Sequence, residues 1–229
     1  EDAYGNEVPV KPKYSVQPPV LGTISPKGAF SGSKAGQGTL VVSAGNIRVS
    51  TPVRVNVGSF EKLKIELPEE KVMAGKTYRL KAVGYDAGGN PIPVEPRWAV
   101  TPNIGDIEQT TGVFNAGKVG KGLVTARSQG IVTERALQVH PGELYSLFLE
   151  PNPVTVQSDT VQEFKVEGLD VKDNKVNVSE SAMEWNVIGG IGEFEAPGTF
   201  RGTKMGKGKV TAGVGSLLAE AYVAVVPGK

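Results

Sequence analysis

Trp98-Ala-Val-Thr-Pro-Asn-Ile-Gly-Asp-Ile-Glu-Gln-Thr-Thr-Gly-Val-Phe-Asn-Ala-Gly-Lys-Val-Gly-Lys-Gly-Leu-Val-Thr-Ala126 is the stretch that decides the fold, because the chain writes it three times. Trp185–Ala212 repeats its order, with Trp-Asn-Val, Gly-Glu-Phe, Gly-Thr-Phe, Gly-Lys-Gly and Val-Thr-Ala in turn. Tyr14–Ala44 repeats it with Tyr for Trp, as Tyr-Ser-Val, Gly-Thr-Ile, Gly-Ala-Phe and Gly-Gln-Gly. Asp2, Asp86 and Asp170 mark one position in successive copies, 84 residues apart each time. A unit that recurs at a fixed period is a tandem module.

Working outward from the repeats sets the modules at 1–57, 58–141 and 142–229. In the middle one, Leu63, Ile65 and Leu67 alternate with Lys64 and Glu66, and Tyr78, Leu80 and Ala82 alternate with Arg79 and Lys81. Period-two alternation places one face of each strand in a core. Trp98 with Val100, and Val124 with Ala126, continue the pattern, and the last strand runs to Val139. The third module repeats it with Leu147 and Leu149, Phe164 and Val166, Trp185 and Val187, and Val210 and Ala212. About seven short strands per module, turn signals every 8–12 residues and an aromatic on the third strand predict an all-β chain of tandem immunoglobulin-like sandwiches. The first sandwich is expected to be incomplete, since nothing in 1–57 corresponds to the opening strands within 58–84. Its inner face around Tyr14, Val16 and Phe30 is then expected to lie open. The closing Val-Val-Pro-Gly (225–228) matches Val-His-Pro-Gly (139–142), which opens into another module, so both ends read as cut from a longer array.

Composition narrows the function. Thirty glycines and 16 prolines in 229 residues exceed the usual share of roughly 12% and disfavour long helices. Twenty-five Lys and Arg balance 24 Asp and Glu, so no net field draws nucleic acid. No run of about 18 apolar residues offers a membrane insertion, and no leader-like segment stands at Glu1. The absence of cysteine excludes disulfides, thiolate metal sites and a cysteine nucleophile, and the single His140 excludes any two-histidine metal site.

Each remaining candidate has a plain alternative. Trp98, Trp185 and Tyr14 could stack on a sugar ring, but one aromatic per module in register with a valine reads as core. Asp2, Asp86 and Asp170, with Asn6, Asn90 and Asn174, could ligate calcium between modules. Single acids at turns read instead as residues that bond their own backbone. Ala-Gly-Lys-Thr (74–77) lacks the upstream glycine of a phosphate loop, where Glu70 stands, and Gly112…Gly117-Lys118 ends in Val119, so both are turns. Lys34, Lys118, Lys121, Lys204 and Lys207 flank glycines in equivalent loops and read as solvated turns rather than a site for anionic wall polymer. His140 is assigned to a linker with no role. Asn177-Val-Ser179 fits a glycosylation acceptor, which is a weak three-residue pattern. No nucleophile has a base, so catalytic, cofactor and metal residues are all none, and no enzyme is expected.

The order Asp-x-x-Gly-Asn, Trp-x-Val, Gly-x-Ile, Gly-x-Phe, Gly-x-Gly, Val-Thr-Ala resembles the bacterial immunoglobulin-like repeats carried in tandem by intimin- and invasin-like adhesins. The first module departs in Tyr14 and in Val-Val-Ser (41–43), and the third has Asn177 where the others have Pro9 and Pro93. Similar repeats are appended to secreted enzymes, phosphodiester glycosidase-like proteins among them, and to surface-layer proteins. The resemblance implies a secreted or cell-surface location and a modular parent whose other domains are the partners. The expected function is a non-catalytic spacer that holds another domain away from the envelope, with short, stiff links at Gly58 and Gly142. The alternatives are a module that binds carbohydrate, cell-wall polymer or a receptor in adhesion, and a surface-layer component.

Overall fold

Every described element longer than three residues is a strand. The computed structural model describes residues 4–68, 71–101 and 103–228. Besides strands these contain two short 3-10 turns, Pro19–Leu21 and Glu180–Ala182. The chain is all-β, as the alternation predicts. It gathers into two compact units, one of Glu1–Glu66, Lys81–Arg97 and Ala126–Thr133, the other of Leu67–Leu80, Trp98–Thr125 and Glu134–Lys229.

In the first unit, Lys13–Gln17, Gly36–Ala44 and Ile47–Val55 form an antiparallel sheet with Gly36–Ala44 at its centre. Tyr14 lies opposite Val42 and Val16 opposite Leu40. Gly22–Ile24 and Phe30–Gly32 make a separate ribbon. Coverage of this sheet is thin. Val16, Leu21 and Val41 are buried, but Tyr14, Phe30, Leu40, Val42 and Val53 are only half-buried, and Val49 is 64% exposed. Ala219, at the position of Val49 in the third copy, is 4% exposed. The first unit also holds the sheet Pro91–Ile92, Lys81–Tyr85, Lys62–Glu66, in that order. Leu63 and Ile65 are buried there while Lys62, Lys64 and Glu66 face water.

The second unit carries Gly105–Ile107, Val113–Ala116 and Thr77–Arg79 as one sheet. Val72–Met73 runs parallel to the end of Ile131–His140. Residues 146–226 repeat the plan. Val154–Gln157 runs parallel to Leu217–Val226 at the edge of a sheet continued by Gly206–Val214 and Glu184–Ile188. Two three-stranded sheets complete that sandwich, Ser146–Glu150 with Lys165–Leu169 and Lys175–Val176, and Val161–Glu163 with Thr199–Gly202 and Gly192–Ala196. Phe200, Val210, Ala212 and Ala221 are fully enclosed. Phe164 and Phe194 meet the Phe200 ring edge-on, at 6.4 and 5.8 Å between centroids, a favoured geometry for ring quadrupoles.

Three expectations need correction. The segment from Tyr78 to Ala82 is not one strand: Thr77–Arg79 and Lys81–Tyr85 belong to different sheets. The chain changes sheet at Leu80, whose N–H donates to Gly112 O at 2.9 Å, and Phe164 does the same to Gly198 O at 2.7 Å. The crossing keeps the inward phase, so alternation alone cannot register it. His140 is the last residue of a strand rather than part of a linker, and its carbonyl accepts from Ala74 N at 2.9 Å.

The third correction concerns the tryptophans. Trp98 is 4% exposed, as a core residue should be, but Trp185 is only half-buried. Asp170 to Trp185 is 15 residues, against 12 from Asp86 to Trp98. The longer connection contains the 3-10 turn Glu180–Ala182 and leaves beside Trp185 a groove of about 270 Å³. Phe164, Val178, Met183 and Pro197 share its lining.

Candidate functional site

The residues that gather into a distinctive arrangement are the Asp–Asn turns and the lysine loops, and they do so twice. In the turn 86–90, Asp86 N–H donates to Asn90 O at 3.1 Å and Asn90 N–H returns a bond to Asp86 Oδ1 at 2.8 Å. The Asn90 side-chain amide donates to both carboxylate oxygens, at 3.0 and 2.8 Å. Gly89, at φ +72°, supplies the left-handed residue that closes the turn. In the turn 170–174 the same bonds recur, Asn174 N–H to Asp170 Oδ1 at 3.0 Å and Asn174 Nδ2 to both oxygens at 3.1 and 2.9 Å. Asp173, at φ +56°, stands there in place of glycine. Asp is among the few side chains that tolerate this region.

A rigid turn leaves groups free to reach outward, and these bind the preceding repeat. Asn90 Nδ2 also donates to Ser33 O at 3.0 Å, while its Oδ1 accepts from Ala35 N–H at 2.8 Å. Lys34 Nζ, between those two residues, donates to Gly88 O at 2.8 Å and Gly89 O at 3.1 Å. Asp86 Oδ2 accepts from Gly58 N–H at 2.7 Å. The second clasp matches group for group. Asn174 bonds Gly117 O at 3.0 Å and Val119 N–H at 2.9 Å, Lys118 Nζ donates to Lys172 O, and Gly142 N–H donates to Asp170 Oδ2 at 2.8 Å. A Cβ on Gly142 would lie 2.6 Å from Ala74 O, so only glycine lets the link pass this close. A Cβ on Gly75 would lie 2.5 Å from Val171 Cγ1, and Val171 thus seats on the bare backbone at φ +82°.

The turn reading of Asp86 and Asp170 therefore holds but is too small, because both carboxylates also fasten the link. Asp2 lies outside the described residues. The solvated-turn reading is overturned for Lys34 and Lys118, which hold backbone carbonyls of the two Asp–Asn turns. Lys121, Lys204 and Lys207 are exposed. Sequence reasoning saw the two halves and did not join them. The signal was the shared period, since Lys34 precedes Gly88 by 54 residues and Lys118 precedes Lys172 by 54. The carboxylate oxygens here are filled by N–H donors, and among the described residues no three His, Asp or Glu side chains group as metal ligands do.

These donors set the charge state. Bonds from Gly58 N–H, from the Asn90 side chain and from Asn90 N–H hold the Asp86 carboxyl at about 2, below its ordinary 3.8. Burial pushes the Asp170 carboxyl up, and the bonds from Gly142, Asn174 and Lys172 outweigh it and leave the group below its ordinary value. A depressed folded-state pKa contributes stability that is complete above the unfolded value and lost as pH falls through the folded one. The expected result is a clasp intact above about pH 4 that weakens towards pH 2. Urea titrations at pH 5, 4, 3 and 2 check it, with a shallower acid loss expected for Asp86→Asn. Equal acid slopes in the two proteins would assign the loss to other groups.

No family model and no curated protein sequence matches the chain. Solved structures do match. FdeC, an Escherichia coli adhesin, aligns over 98% of this chain and 90% of its own at 18% identity, with a TM-score of 0.51. The human desmocollin-1 ectodomain aligns over 96% of this chain at 15% identity and a TM-score of 0.49, and this chain spans 52% of it. The surface-layer protein SbsC aligns over all of this chain at 16% identity and a TM-score of 0.34, and this chain spans 37% of that protein. The likeness to FdeC is one of fold, and it agrees with the arrangement of strands: this is a chain of immunoglobulin-like sandwiches.

Proposed function

We propose that the chain is a stiff, non-catalytic spacer of a bacterial cell-surface or secreted modular protein, built as modules 1–57, 58–141 and 142–229, and that its partners are the other domains of the parent chain. The observation that carries this reading is the clasp, made twice with the same donors and acceptors. One clasp alone is an incident of packing. Two at the same point of the repeat are a device that fixes each module to the one before it. Among the described residues no strand ladder crosses residue 58 or residue 142, which supports those boundaries. The clasps add to the short links a set of side-chain bonds that hold the orientation of each module on the one before it. The fold shared with an adhesin supports an extracellular setting.

Residual dipolar couplings test the stiffness. In the native chain, residues 58–141 and 142–229 are expected to share one alignment tensor. In Asn174→Ala, which removes the bonds to Gly117 and Val119, the two tensors should diverge while each module stays folded. Divergent tensors in the native chain would end the spacer reading.

A further inference from the structure

The third copy of the lysine loop, Thr203-Lys204-Met205-Gly206, repeats the two that are clasped. We propose that this loop, with Gly228, is the acceptor for the Asp-x-x-x-Asn turn of a further module joined in line after Gly228. The inference rests on the spacer reading and adds the partner, a β-turn whose Asn amide both donates and accepts.

Backbone geometry is the first argument. Ser33 N–H and Lys34 N–H donate to Leu21 O, Gly117 N–H donates to Ile104 O, and Thr203 N–H and Lys204 N–H donate to Ile191 O. Leu21, Ile104 and Ile191 are all buried anchors. Gly36, Gly120 and Gly206 have φ of +159°, +151° and +155°. The three loops thus present the same row of carbonyl, ammonium and amide. Two of those rows bond an Asp–Asn turn, and in the third, residues 203–206 are exposed, Met205 to 62%.

The link argues for a module in line rather than a separate copy. Ala74 N–H donates to His140 O at 2.9 Å and Ser158 N–H to Val226 O at 2.8 Å, so Gly228 follows its strand as Gly142 does. A Cβ on Gly228 would lie 3.2 Å from Ser158 O, as one on Gly142 would crowd Ala74 O. The Asp of a turn takes its bond from that glycine in both clasps, and an in-line module brings its Asp to Gly228.

One difference sets specificity. Gly75, on which Val171 seats, is replaced at this point by Asp159, at φ +63°. Its N–H donates to Gly202 O as Gly75 N–H does to Ala116 O, so the two positions correspond. The Asp159 Cβ occupies the space that a valine on the incoming turn would need. The loop accepts a turn of the Asp86-Ala87 kind and disfavours one of the Asp170-Val171 kind.

The test replaces Lys229 by a second copy of residues 59–141, so that Ser59 follows Gly228 as it follows Gly58, and follows amide exchange. Met205 and Gly228 amides are expected to exchange at least about tenfold more slowly than in the unextended chain. The protection should vanish when Asn90→Ala is placed in the added copy, and shrink with Ala87→Val there. Unchanged exchange at Met205, with Ala35 and Val119 protected, would overturn this proposal and leave the spacer reading standing. Free exchange at Ala35 and Val119 would sink both. Protection of Met205 in the unextended chain that grows with its concentration would overturn the in-line assignment in favour of a second copy.

Discussion

Trp98→Ala is expected to destabilise the middle module by about 3–5 kcal/mol, as other truncations of buried aromatic residues do. Trp98 is 4% exposed, and a Cβ on Gly112 would lie 2.8 Å from its indole Nε1, so the ring is gripped on that edge by bare backbone. Trp185→Ala should cost at least about 1 kcal/mol less, because a half-buried ring removes less apolar area from water. Urea titration monitored by amide exchange at Val124 and Val210 separates the two modules. A loss below about 1 kcal/mol for Trp98→Ala would show that the ring is not core. Equal losses would remove the distinction drawn from the groove at Trp185.

Asp170→Ala is expected to cost about 1–3 kcal/mol, the range for leaving a buried hydrogen-bond donor unsatisfied. Asp170 is 1% exposed and accepts from Gly142 N–H, Lys172 N–H, Asn174 N–H and the Asn174 side chain. Alanine satisfies none of them. Asp170→Asn should recover part of the loss, since one amide oxygen still accepts while its NH₂ opposes a donor. Trp185 fluorescence during denaturation reads the third module, and exchange at Gly142 reads the link. A midpoint unmoved by Asp170→Ala would mean that water replaces the carboxylate at no cost, and the clasp would lose its claim to rigidity.

How far these features were legible depends on the range over which their causes act. Alternation at Leu63–Glu66 and the recurring Trp-x-Val gave the strands and the period, because a strand's faces are set by its own residues. The exchange of sheets at Leu80 and Phe164 was hidden, since both sides of the crossing keep the same phase. The exposure of Trp185 was hidden in a length, the three additional residues before it, whose effect appears only when the 3-10 turn is placed. The clasps were legible as two separate motifs. What joins them is the packing of one repeat on the next, which no reading of a single repeat contains.

The preceding loop contributes two backbone groups and one lysine to each clasp. Ser33 and Gly117 take part through a carbonyl that any residue would supply, and Ala35 and Val119 through an amide that any residue but proline would supply. The residues that must be kept are therefore few: the lysine on one partner, the aspartate and asparagine on the other, and the glycine of the link. Genes for such modules can gain or lose copies by unequal recombination with compensating changes confined to the seat held by Gly75 or Asp159 and the turn residue, Ala87 or Val171, that meets it. The length of such an array could then drift or be selected with little change elsewhere in the sequence of its modules.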